Sequence, residues 1–515
     1  MKKFILKEGA NPNYLCTICK IGETFPIEGA DRLVKTVING YDIVVSKDMK
    51  PGTIVAYFPV ECAISEKFLS ANNLYERGEF ERNANAEEIK SLIVEAENAQ
   101  TEEKQAEIAA KIKSMCGFFD KRGRVRILKL RGQYSQGFVA GIDSLINFEP
   151  ELADTNWESV VGTQFNFVGE KEICWKFVPP VKEVRSGGGS ERAWKKRMKH
   201  IRRFDRLIAG QFAFHYDTQM LAEHINMLKP DDNVTITVKV HGTSVILANI
   251  LTNKPSKFTK NYLNRRLRKV MNLKYSIASN AEKNALRKMY IGVKTRPTKE
   301  YGNIYASRSV IKNQYINPNK HDFYGGDPWG CVERDFGPYL EKGMTVYGEI
   351  AGYVEGSQSM IQAKHDYGCK PGQWKFMPYR ITMTDEFGNK TEWDVAEVDK
   401  WTRDLVAAHP ELEEKTMFLT MLYHGRFGDL YPDIDESQHW HENVLARMKA
   451  DRKNFLMEED EPLCKNKVPR EGVVVRIDGD KFARAWKLKT LRHYGKEAEA
   501  HDKGEVDMEE AEGQV

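Results

Sequence analysis

The first 60 positions of the sequence hold short apolar runs that are separated by turn-forming residues. Four of these runs predict strands, at 15–21, 33–38, 41–45 and 53–60. Asn39 and Gly40 lie between the second run and the third, and they predict a two-residue hairpin because both readily adopt positive φ. Two more strands are predicted at 124–130 and 136–142. These short strands predict a small antiparallel barrel, and the five-stranded oligonucleotide-binding (OB) barrel is a common form of that size.

A helical pattern interrupts the strand series. Residues 87–113 are rich in Ala, Glu and Lys, which favour helix, and they lie within an insertion at 64–120. Further along, Ser186-Gly-Gly-Gly-Ser190 is typical of a flexible connection. The pattern therefore predicts an OB-like unit at 1–180 that carries the helical insertion, followed by a linker at 181–190.

Length and composition indicate a globular chain of more than one domain. Of its 515 residues, 41% are hydrophobic and 30% are charged, which is enough apolar surface to fold. No apolar run reaches the ~20 residues that span a bilayer, and charge close to Met1 opposes a secretory signal. The cysteines are scattered, and Cys16 with Cys19 is interpreted as ordinary strand sequence because no second pair completes a zinc site. We expect a cytoplasmic protein with no membrane partner.

Charge is distributed unevenly although the net charge is only +4. Basic residues concentrate at 191–206 and at 260–300, and each stretch fits either a solvated helix face or a phosphate-binding surface. The last nineteen residues carry eight acids against Lys503 alone, a composition that predicts a disordered acidic tail at 497–515.

Candidate chemistry begins at Lys239, which ends a predicted strand that starts at Val234. Alternation along this strand places Lys239 on its polar face, and Gly242 permits a turn that a nucleotide can approach closely. A single lysine at a strand end is usually a surface charge. Two carboxylates strengthen the case, because Glu349 lies between glycines in a second strand and Glu471 precedes an apolar strand.

Aromatic and basic residues complete the candidate set. Phe376 and Tyr379 are able to stack on a base, and Lys487 and Lys489 alternate so that both project from one strand face. The chain thus contains a nucleophilic lysine, two acidic metal ligands with base-stacking aromatics between them, and then two phosphate-binding lysines. Each residue alone has an ordinary structural interpretation, but the combination points to nucleotidyl transfer.

The segment Lys239-Val-His241-Gly242 resembles the first motif, KxDG, of the covalent nucleotidyltransferase superfamily of ATP-dependent polynucleotide ligases and messenger RNA capping enzymes. Histidine in place of aspartate is similar to phage RNA ligases of the second type. The resemblance implies that Lys239 takes up AMP, that His241 supports this lysine, and that Ser307-Arg308 contacts AMP or the RNA end. It further implies a nucleotide-binding set comprising His241, Gly242, Arg308, Glu349, Phe376, Tyr379, Glu471, Lys487 and Lys489. Glu349 and Glu471 are the implied metal ligands, and the register between Phe376 and Tyr379 stays open.

The amino-terminal part, especially Leu130-Arg131-Gly132-Gln-Tyr-Ser135, resembles the family of the Deinococcus RNA ligase. This implies an α+β multidomain fold, in which the OB-like β-barrel precedes an ATP-grasp-like, antiparallel-sheet nucleotidyltransferase domain at 191–496. About two dozen residues follow Lys489, too few for the carboxy-terminal barrel of DNA ligases and capping enzymes.

The implied function is that of an ATP-dependent RNA ligase, which joins RNA 3'-OH and 5'-phosphate ends through lysyl-AMP and an adenylylated RNA end, in RNA repair. Its cofactors are ATP and Mg²⁺ or Mn²⁺, and its partners are RNA ends or a nicked duplex, with no obligate protein partner. Such an enzyme needs Lys239 as a neutral amine, so we expect the site to lower the pKa of Lys239 through Lys487, Lys489 and the metal. The alternatives are a GTP-dependent capping-type guanylyltransferase and a non-catalytic RNA-binding protein.

Overall fold

The computed structural model describes residues 3–178, 206–215, 217–253, 299–313, 326–437, 439–452, 456–457, 460–479 and 484–502. The predicted linker at 181–190, nearly all of the basic stretches at 191–206 and 260–300, and the tail from 503 onward lie outside the described residues.

The amino-terminal half contains short strands. They are β1 Phe4–Ile5, β2 Cys16–Lys20, β3 Thr24–Pro26, β4 Leu33–Ile38, β5 Tyr41–Ser46, β6 Ile54–Phe58, β7 Cys62–Ile64, β8 Ile127–Leu130, β9 Gln133–Gln136, β10 Phe138–Gly141, β11 Gln164–Phe165, β12 Phe167–Val168, β13 Lys171–Glu172 and β14 Cys174–Lys176. The carboxy-terminal half contains longer strands. They are β15 Gln219–Met220, β16 Asn233–Lys239, β17 Thr243–Asn253, β18 Lys299–Ala306, β19 Met344–Gly352, β20 Trp374–Thr384, β21 Lys390–Glu392, β22 Met421–Arg426, β23 Gly472–Ile477 and β24 Arg484–Lys489.

The helices lie mostly between these strands. The α-helices are α1 Glu66–Ala71, α2 Ala86–Asn98, α3 Glu102–Ser114, α4 Ile142–Phe148, α5 Leu221–His224, α6 Pro328–Phe336, α7 Val395–Ala408, α8 Trp440–Ala450 and α9 Leu491–Asp502. Short 3₁₀ helices occur at Pro12–Tyr14, Arg77–Arg82, Pro150–Leu152, Trp157–Val160, Ile225–Met227, Gly337–Tyr339, Pro410–Lys415 and Phe427–Leu430.

The predicted strands of the amino-terminal half are confirmed, but the barrel is not. Asn39 and Gly40 adopt φ of 49° and 76° and join β4 to β5, as the hairpin prediction requires. Cys16 and Cys19 are buried in β2, so they are strand residues as predicted. However, the described strands divide into five small antiparallel sheets, with orders β1-β12-β13, β10-β6-β2-β11, β14-β7, β3-β4-β5 and β8-β9. The described residues therefore contain no closed barrel.

The helical insertion at 64–120 contains two principal helices instead of one. The predicted helix at 87–113 is divided into α2 and α3, because Thr101 begins a second helix by accepting a hydrogen bond from the Lys104 N–H. The two helices pack on each other through a small apolar cluster that includes Ile89 and Ile108.

Two five-stranded sheets form the carboxy-terminal half. One has the order β15-β24-β23-β16-β22 and the other β18-β17-β19-β20-β21, and every pair is antiparallel except β15 with β24. The chain crosses from the first sheet to the second between Lys239 and Thr243, because β16 ends at Lys239 and β17 begins at Thr243. The predicted nucleophile thus lies where two sheets meet.

The two halves of the chain share a hydrophobic core. Ile43 and Tyr57 from the amino-terminal half pack in one cluster with Val234, Val475 and Trp486 from the carboxy-terminal half. This contact places the hairpin of β4 and β5 against the sheet that carries Lys239.

Helix α9 follows the last strand directly. Residues 497–502, which the sequence pattern assigned to a disordered tail, belong to this helix. The helix is held in place because Tyr494 and Ala498 pack with Ile127 in a small apolar cluster. Among the residues that the structure describes, no helix is both long enough and apolar enough to cross a bilayer.

Candidate functional site

Strand pairing brings Lys239, Glu471 and Lys489 together. In the first sheet, Lys239 lies opposite Gly472, and Gly472 lies opposite Lys489 on the next strand. Glu471 immediately precedes Gly472, so its carboxylate reaches both lysines. The distance from Oε1 of Glu471 is 2.9 Å to Nζ of Lys239 and 3.4 Å to Nζ of Lys489. The predicted nucleophile Lys239 and the predicted metal ligand Glu471 therefore form an ion pair.

The electrostatics of this pair contradict the expected pKa of Lys239. Burial acts to lower the pKa of Lys239, but the negative charges of Glu471 and Glu349 outweigh burial and raise it above its ordinary value. Burial likewise acts to raise the pKa of Glu471, yet Lys239 and Lys489 hold it well below the usual range. Without a further cation, Lys239 is thus an ammonium group, because its nearest charged neighbour is a carboxylate.

The turn after Lys239 is held by specific hydrogen bonds. The Gly242 N–H donates to Oε1 of Glu349 at 3.0 Å, and the His241 N–H donates to the hydroxyl of Tyr367 at 2.7 Å. The side-chain amide of Gln362 donates to the Gly242 carbonyl at 2.9 Å. Glu349 therefore positions the backbone of the turn.

Position 242 has no room for a side chain, so glycine is required there. A Cβ atom at this position would lie 2.2 Å from the Ile350 carbonyl oxygen and 2.8 Å from Cγ of Glu349. The approach of the turn to β19 thus allows only glycine without movement, which is a physical reason for glycine at the end of the KxHG segment.

A second group of charges surrounds Asp217, which no sequence pattern indicated. Its Oδ1 accepts from Nζ of Lys487 at 2.7 Å and from a guanidinium nitrogen of Arg308 at 2.9 Å. Its Oδ2 accepts from the side-chain amide of Asn11 at 2.8 Å. Burial lowers the pKa of Lys487 to about 8, although Asp217 opposes the shift. Two of the predicted phosphate-binding cations therefore share one buried carboxylate.

Lys489 has different partners from Lys487. Besides Glu471, its Nζ lies 3.3 Å from Oε2 of Glu497 on α9. Burial acts to raise the pKa of Glu497, but Lys489 outweighs it and holds that pKa at about 2. Helix α9, which lies partly in the segment assigned to the tail, thus contributes a residue to the site.

Of the two candidate aromatic residues, only Tyr379 faces the site. Phe376 is fully buried in the core of the second sheet, where its ring lies 5.0 Å from that of Phe336. Tyr379 is half-buried and packs edge-on against His215, with ring centroids 5.6 Å apart. The structure therefore places Phe376 away from the site, because it alternates with Met377 and Tyr379 on β20.

One cavity connects the charged side chains of the site with Tyr379. It is bounded by both five-stranded sheets and by the amino-terminal half of the chain. The predicted residues among its described walls are Lys239, His241, Gly242, Arg308, Glu349, Tyr379, Glu471, Lys487 and Lys489. The amino-terminal half contributes three tyrosines to its walls, the half-buried Tyr14 and the buried Tyr41 and Tyr57. A ligand with several phosphates that fills this cavity would contact the lysines through its phosphates and the aromatic rings through another part.

This arrangement suits the transfer of a phosphoryl-linked group to an amine. A lysine lies beside a carboxylate, and three more cations are available to neutralise negative charge that develops on phosphate oxygens. The carboxylates of Glu349 and Glu471 offer the hard oxygen ligands that Mg²⁺ or Mn²⁺ accepts. Oε2 of Glu471 accepts no hydrogen bond from the described residues, so it has capacity for a further positive partner.

Comparisons with known proteins identify the fold. No protein-family model matches the sequence, and no curated protein is similar to it. Structures of Naegleria gruberi RNA ligase variants are similar to this chain. Two of them, both with AMP and Mn, share 16% and 15% identity with it, and a third, without ligand, shares 16%. Each has a TM-score of 0.50 over 94% of this chain and 98% of the ligase chain. At this identity the likeness shows a shared fold, that of an RNA ligase nucleotidyltransferase.

Proposed function

We propose that this chain is an ATP-dependent RNA ligase that forms a lysyl-AMP intermediate. The observation that carries the proposal is the position of Lys239, whose Nζ lies 2.9 Å from Glu471 in the wall of a cavity that also contains Arg308, Lys487 and Lys489. A protein that only binds RNA has no need of an amine paired with a buried carboxylate in a cavity lined by further cations. The fold supports the same conclusion, since the similar structures are of an RNA ligase with AMP and Mn.

The proposed reaction has three steps. Nζ of Lys239 attacks the α-phosphorus of ATP, an N–P bond forms, and the bond to pyrophosphate breaks. An RNA 5'-phosphate oxygen then attacks the same phosphorus and releases the lysine, which gives an adenylylated RNA end. Finally, an RNA 3'-hydroxyl attacks the 5'-phosphate and AMP leaves. Negative charge accumulates on phosphate oxygens in each transition state, so fixed cations accelerate all three steps.

Lys239 must lose a proton before it attacks. The carboxylates of Glu471 and Glu349 favour the ammonium form, so a bound cation has to offset them. Mg²⁺ or Mn²⁺ would supply that charge, and Glu349 and Glu471 are the residues that would hold it, directly or through water. Glu471 holds the amine of Lys239 in place, because Oε1 of Glu471 contacts Nζ of both Lys239 and Lys489.

We propose roles for the remaining residues from their positions in the cavity. Tyr379 lines it and is the proposed adenine-stacking residue, because Phe376 is enclosed in the core. Arg308 and Lys487 would bind phosphate oxygens of ATP in place of Asp217. His241 supports Lys239 through its contact with Glu471, since its Nδ1 lies 3.4 Å from Oε2 of that residue.

The amino-terminal half is proposed to dock RNA. Residues 1–180 would form the docking unit and residues 181–190 the linker. The catalytic unit would begin at 191 and extend past the expected limit of 496 to the end of α9 at Asp502, because Glu497 belongs to the site. The half-buried Tyr14, which lines the cavity, supports this role, because aromatic rings stack on unpaired bases. By its sequence resemblance to the Deinococcus RNA ligase family, we propose repair of nicked or broken RNA as the purpose.

The proposal is tested with labelled nucleotides and nicked duplexes. We expect wild-type protein with Mg²⁺ to form a covalent adduct with ATP and to seal nicked RNA duplexes. Lys239→Ala should lose both activities. Lys20→Ala is a matched control, because Lys20 also ends a strand and pairs with a glutamate, Glu158, at 2.6 Å, but lies outside the cavity.

Three outcomes would contradict the proposal. An adduct with GTP and not ATP would indicate a capping-type guanylyltransferase. RNA binding without any adduct would indicate a binding protein. If the wild type and Lys239→Ala sealed RNA equally well, Lys239 would not be the nucleophile.

A further inference from the structure

Three histidines lie behind the carboxylate of Glu471. The ring of His241 is 4.8 Å from that of His365 and 4.9 Å from that of His493, measured between centroids. His241 comes from the turn after β16, and His493 from the first turns of α9. The three imidazoles therefore reach one place from distant parts of the sequence.

Three buried atoms of this cluster lack hydrogen bonds to any described residue. They are Oε2 of Glu471, Nε2 of His365 and Nε2 of His493, and these residues are 5%, 8% and 3% exposed. A buried acceptor without a partner costs about 1–3 kcal/mol, so such atoms are uncommon unless a ligand satisfies them. All three atoms belong to the ligand types that metal ions accept.

We infer that His241, Glu471 and His493 bind a divalent transition-metal ion. One ligand atom from each residue lies within 4.8 Å of the others. Nδ1 of His241 is 3.4 Å from Oε2 of Glu471. Two ligands about 2.1 Å from a tetrahedral zinc ion lie about 3.4 Å apart, so this pair already has the required spacing. Imidazole selects Zn²⁺ and its transition-metal neighbours over Mg²⁺, which prefers oxygen.

The inferred site is separate from the place of a nucleotide-bound metal. Oε1 of Glu471 faces Lys239 and Lys489 in the cavity, whereas Oε2 faces His241. His493 is absent from the described residues that line the cavity. The ion would therefore lie within the wall of the cavity, between His493 behind it and the lining residues His241 and Glu471, and its binding requires neither ATP nor RNA.

Local hydrogen bonds already orient His493 toward Glu471. The hydroxyl of Thr490 donates to the carbonyl of Arg470 at 2.6 Å and accepts from the His493 N–H at 3.2 Å. Thr490 thus connects the start of α9 to the residue before Glu471. An ion bound here would join the turn after Lys239, the start of β23 and α9 into one rigid arrangement.

The experiment uses the full-length protein, freed of metal with a chelator and titrated with Co²⁺ in the absence of nucleotide. We expect one ion per chain, detected by its visible absorption, and displacement by Zn²⁺ but not by Mg²⁺. His493→Ala should weaken Co²⁺ binding by at least about 100-fold, because loss even of outer-shell partners costs 10- to 100-fold. His439→Ala is the matched control. Its Nδ1 is 3.2 Å from Oε2 of Glu442, but both side chains are 71% exposed.

X-ray absorption of the Zn²⁺-loaded wild type provides a test that needs no variant. It should show two imidazole ligands together with oxygen. Absence of imidazole, failure of the wild type to bind Co²⁺, or equal binding by a folded His493→Ala protein would overturn the inference. Adduct formation with ATP, measured separately with Mg²⁺, tests the proposed ligase function, so the two claims can fail independently.

Discussion

Replacing Gly242 with alanine tests the geometry of the nucleophile most sharply. The new Cβ would lie 2.2 Å from the Ile350 carbonyl oxygen, whereas ordinary contact begins at 3.4 Å. The turn would therefore have to move by about 1 Å, because Ile350 belongs to a buried strand that pairs on both sides. The same movement would weaken the hydrogen bond from the Gly242 N–H to Glu349.

The expected effect on rate is much larger than the effect on stability. Overpacking of this kind costs about 1–3 kcal/mol of the free energy of unfolding. Displacement of a reacting group by about 1 Å lowers the rate of a positioned reaction by about 100-fold. Gly242→Ala should consequently remain folded at 25 °C while it forms the AMP adduct about 100-fold more slowly than the wild type.

The assay is single-turnover adduct formation at saturating ATP, with urea unfolding measured in parallel. Gly141→Ala is the control, because no described heavy atom lies within 4 Å of a Cβ built at that position. It should leave the adduct rate unchanged. If Gly242→Ala formed the adduct at the wild-type rate, the close approach of the turn to β19 would not position Lys239, and the reasoning would be refuted.

Three further predictions concern single residues. Tyr379→Ala should weaken ATP binding by about 1–3 kcal/mol through lost stacking, whereas Phe376→Ala should cost about 3–5 kcal/mol of folding stability. Asp217→Ala should lower the free energy of unfolding by about 3 kcal/mol, because it leaves the buried Lys487 without its carboxylate, and ATP should restore part of the loss. Burial raises the pKa of Glu223 to about 7. Above that pH the folded protein must bury a charged carboxylate, so the full penalty lowers the free energy of unfolding. Glu223→Gln should therefore be more stable than wild type at pH 8, by up to about 3 kcal/mol, and equally stable near pH 4.

Each of these predictions has a distinct contrary result. If calorimetry gave the same affinity for ATP in Tyr379→Ala and in the wild type, Tyr379 would not stack on adenine. Tyr379→Phe is the control and should bind ATP like the wild type. If urea unfolding gave Asp217→Ala the same free energy of unfolding as the wild type, solvent would be stabilising the cations that Asp217 contacts. A stability difference for Glu223→Gln that does not shrink between pH 7 and pH 4.5 would contradict the raised pKa, because protonation of Glu223 in both states should remove it.

Features set by neighbours in sequence were predictable. The hairpin at Asn39 and Gly40 follows from two residues that tolerate positive φ, and Lys239 ends its strand as alternation and turn residues indicate. The break between α2 and α3 was not predictable from periodicity, because Ala-, Glu- and Lys-rich sequence continues on both sides of Thr101.

Features that depend on distant contacts were missed. Asp217 lies in a segment without a recognisable pattern, and its importance comes from Lys487, 270 positions away. His493 was assigned no role because its meeting with His241 depends on how α9 packs. Without a metal ion the pKa of Lys239 is raised and not lowered, which sequence alone does not reveal because the nearest charge, Glu471, follows far along the chain.

The central claim is that Lys239 accepts AMP. The most direct measurement is mass spectrometry of peptides from the full-length protein after incubation with ATP and Mg²⁺. We predict AMP on the peptide that contains Lys239, and none in the same experiment with Lys239→Ala. AMP attached to a different residue, or RNA sealing by a wild-type protein that never carries AMP, would contradict the account.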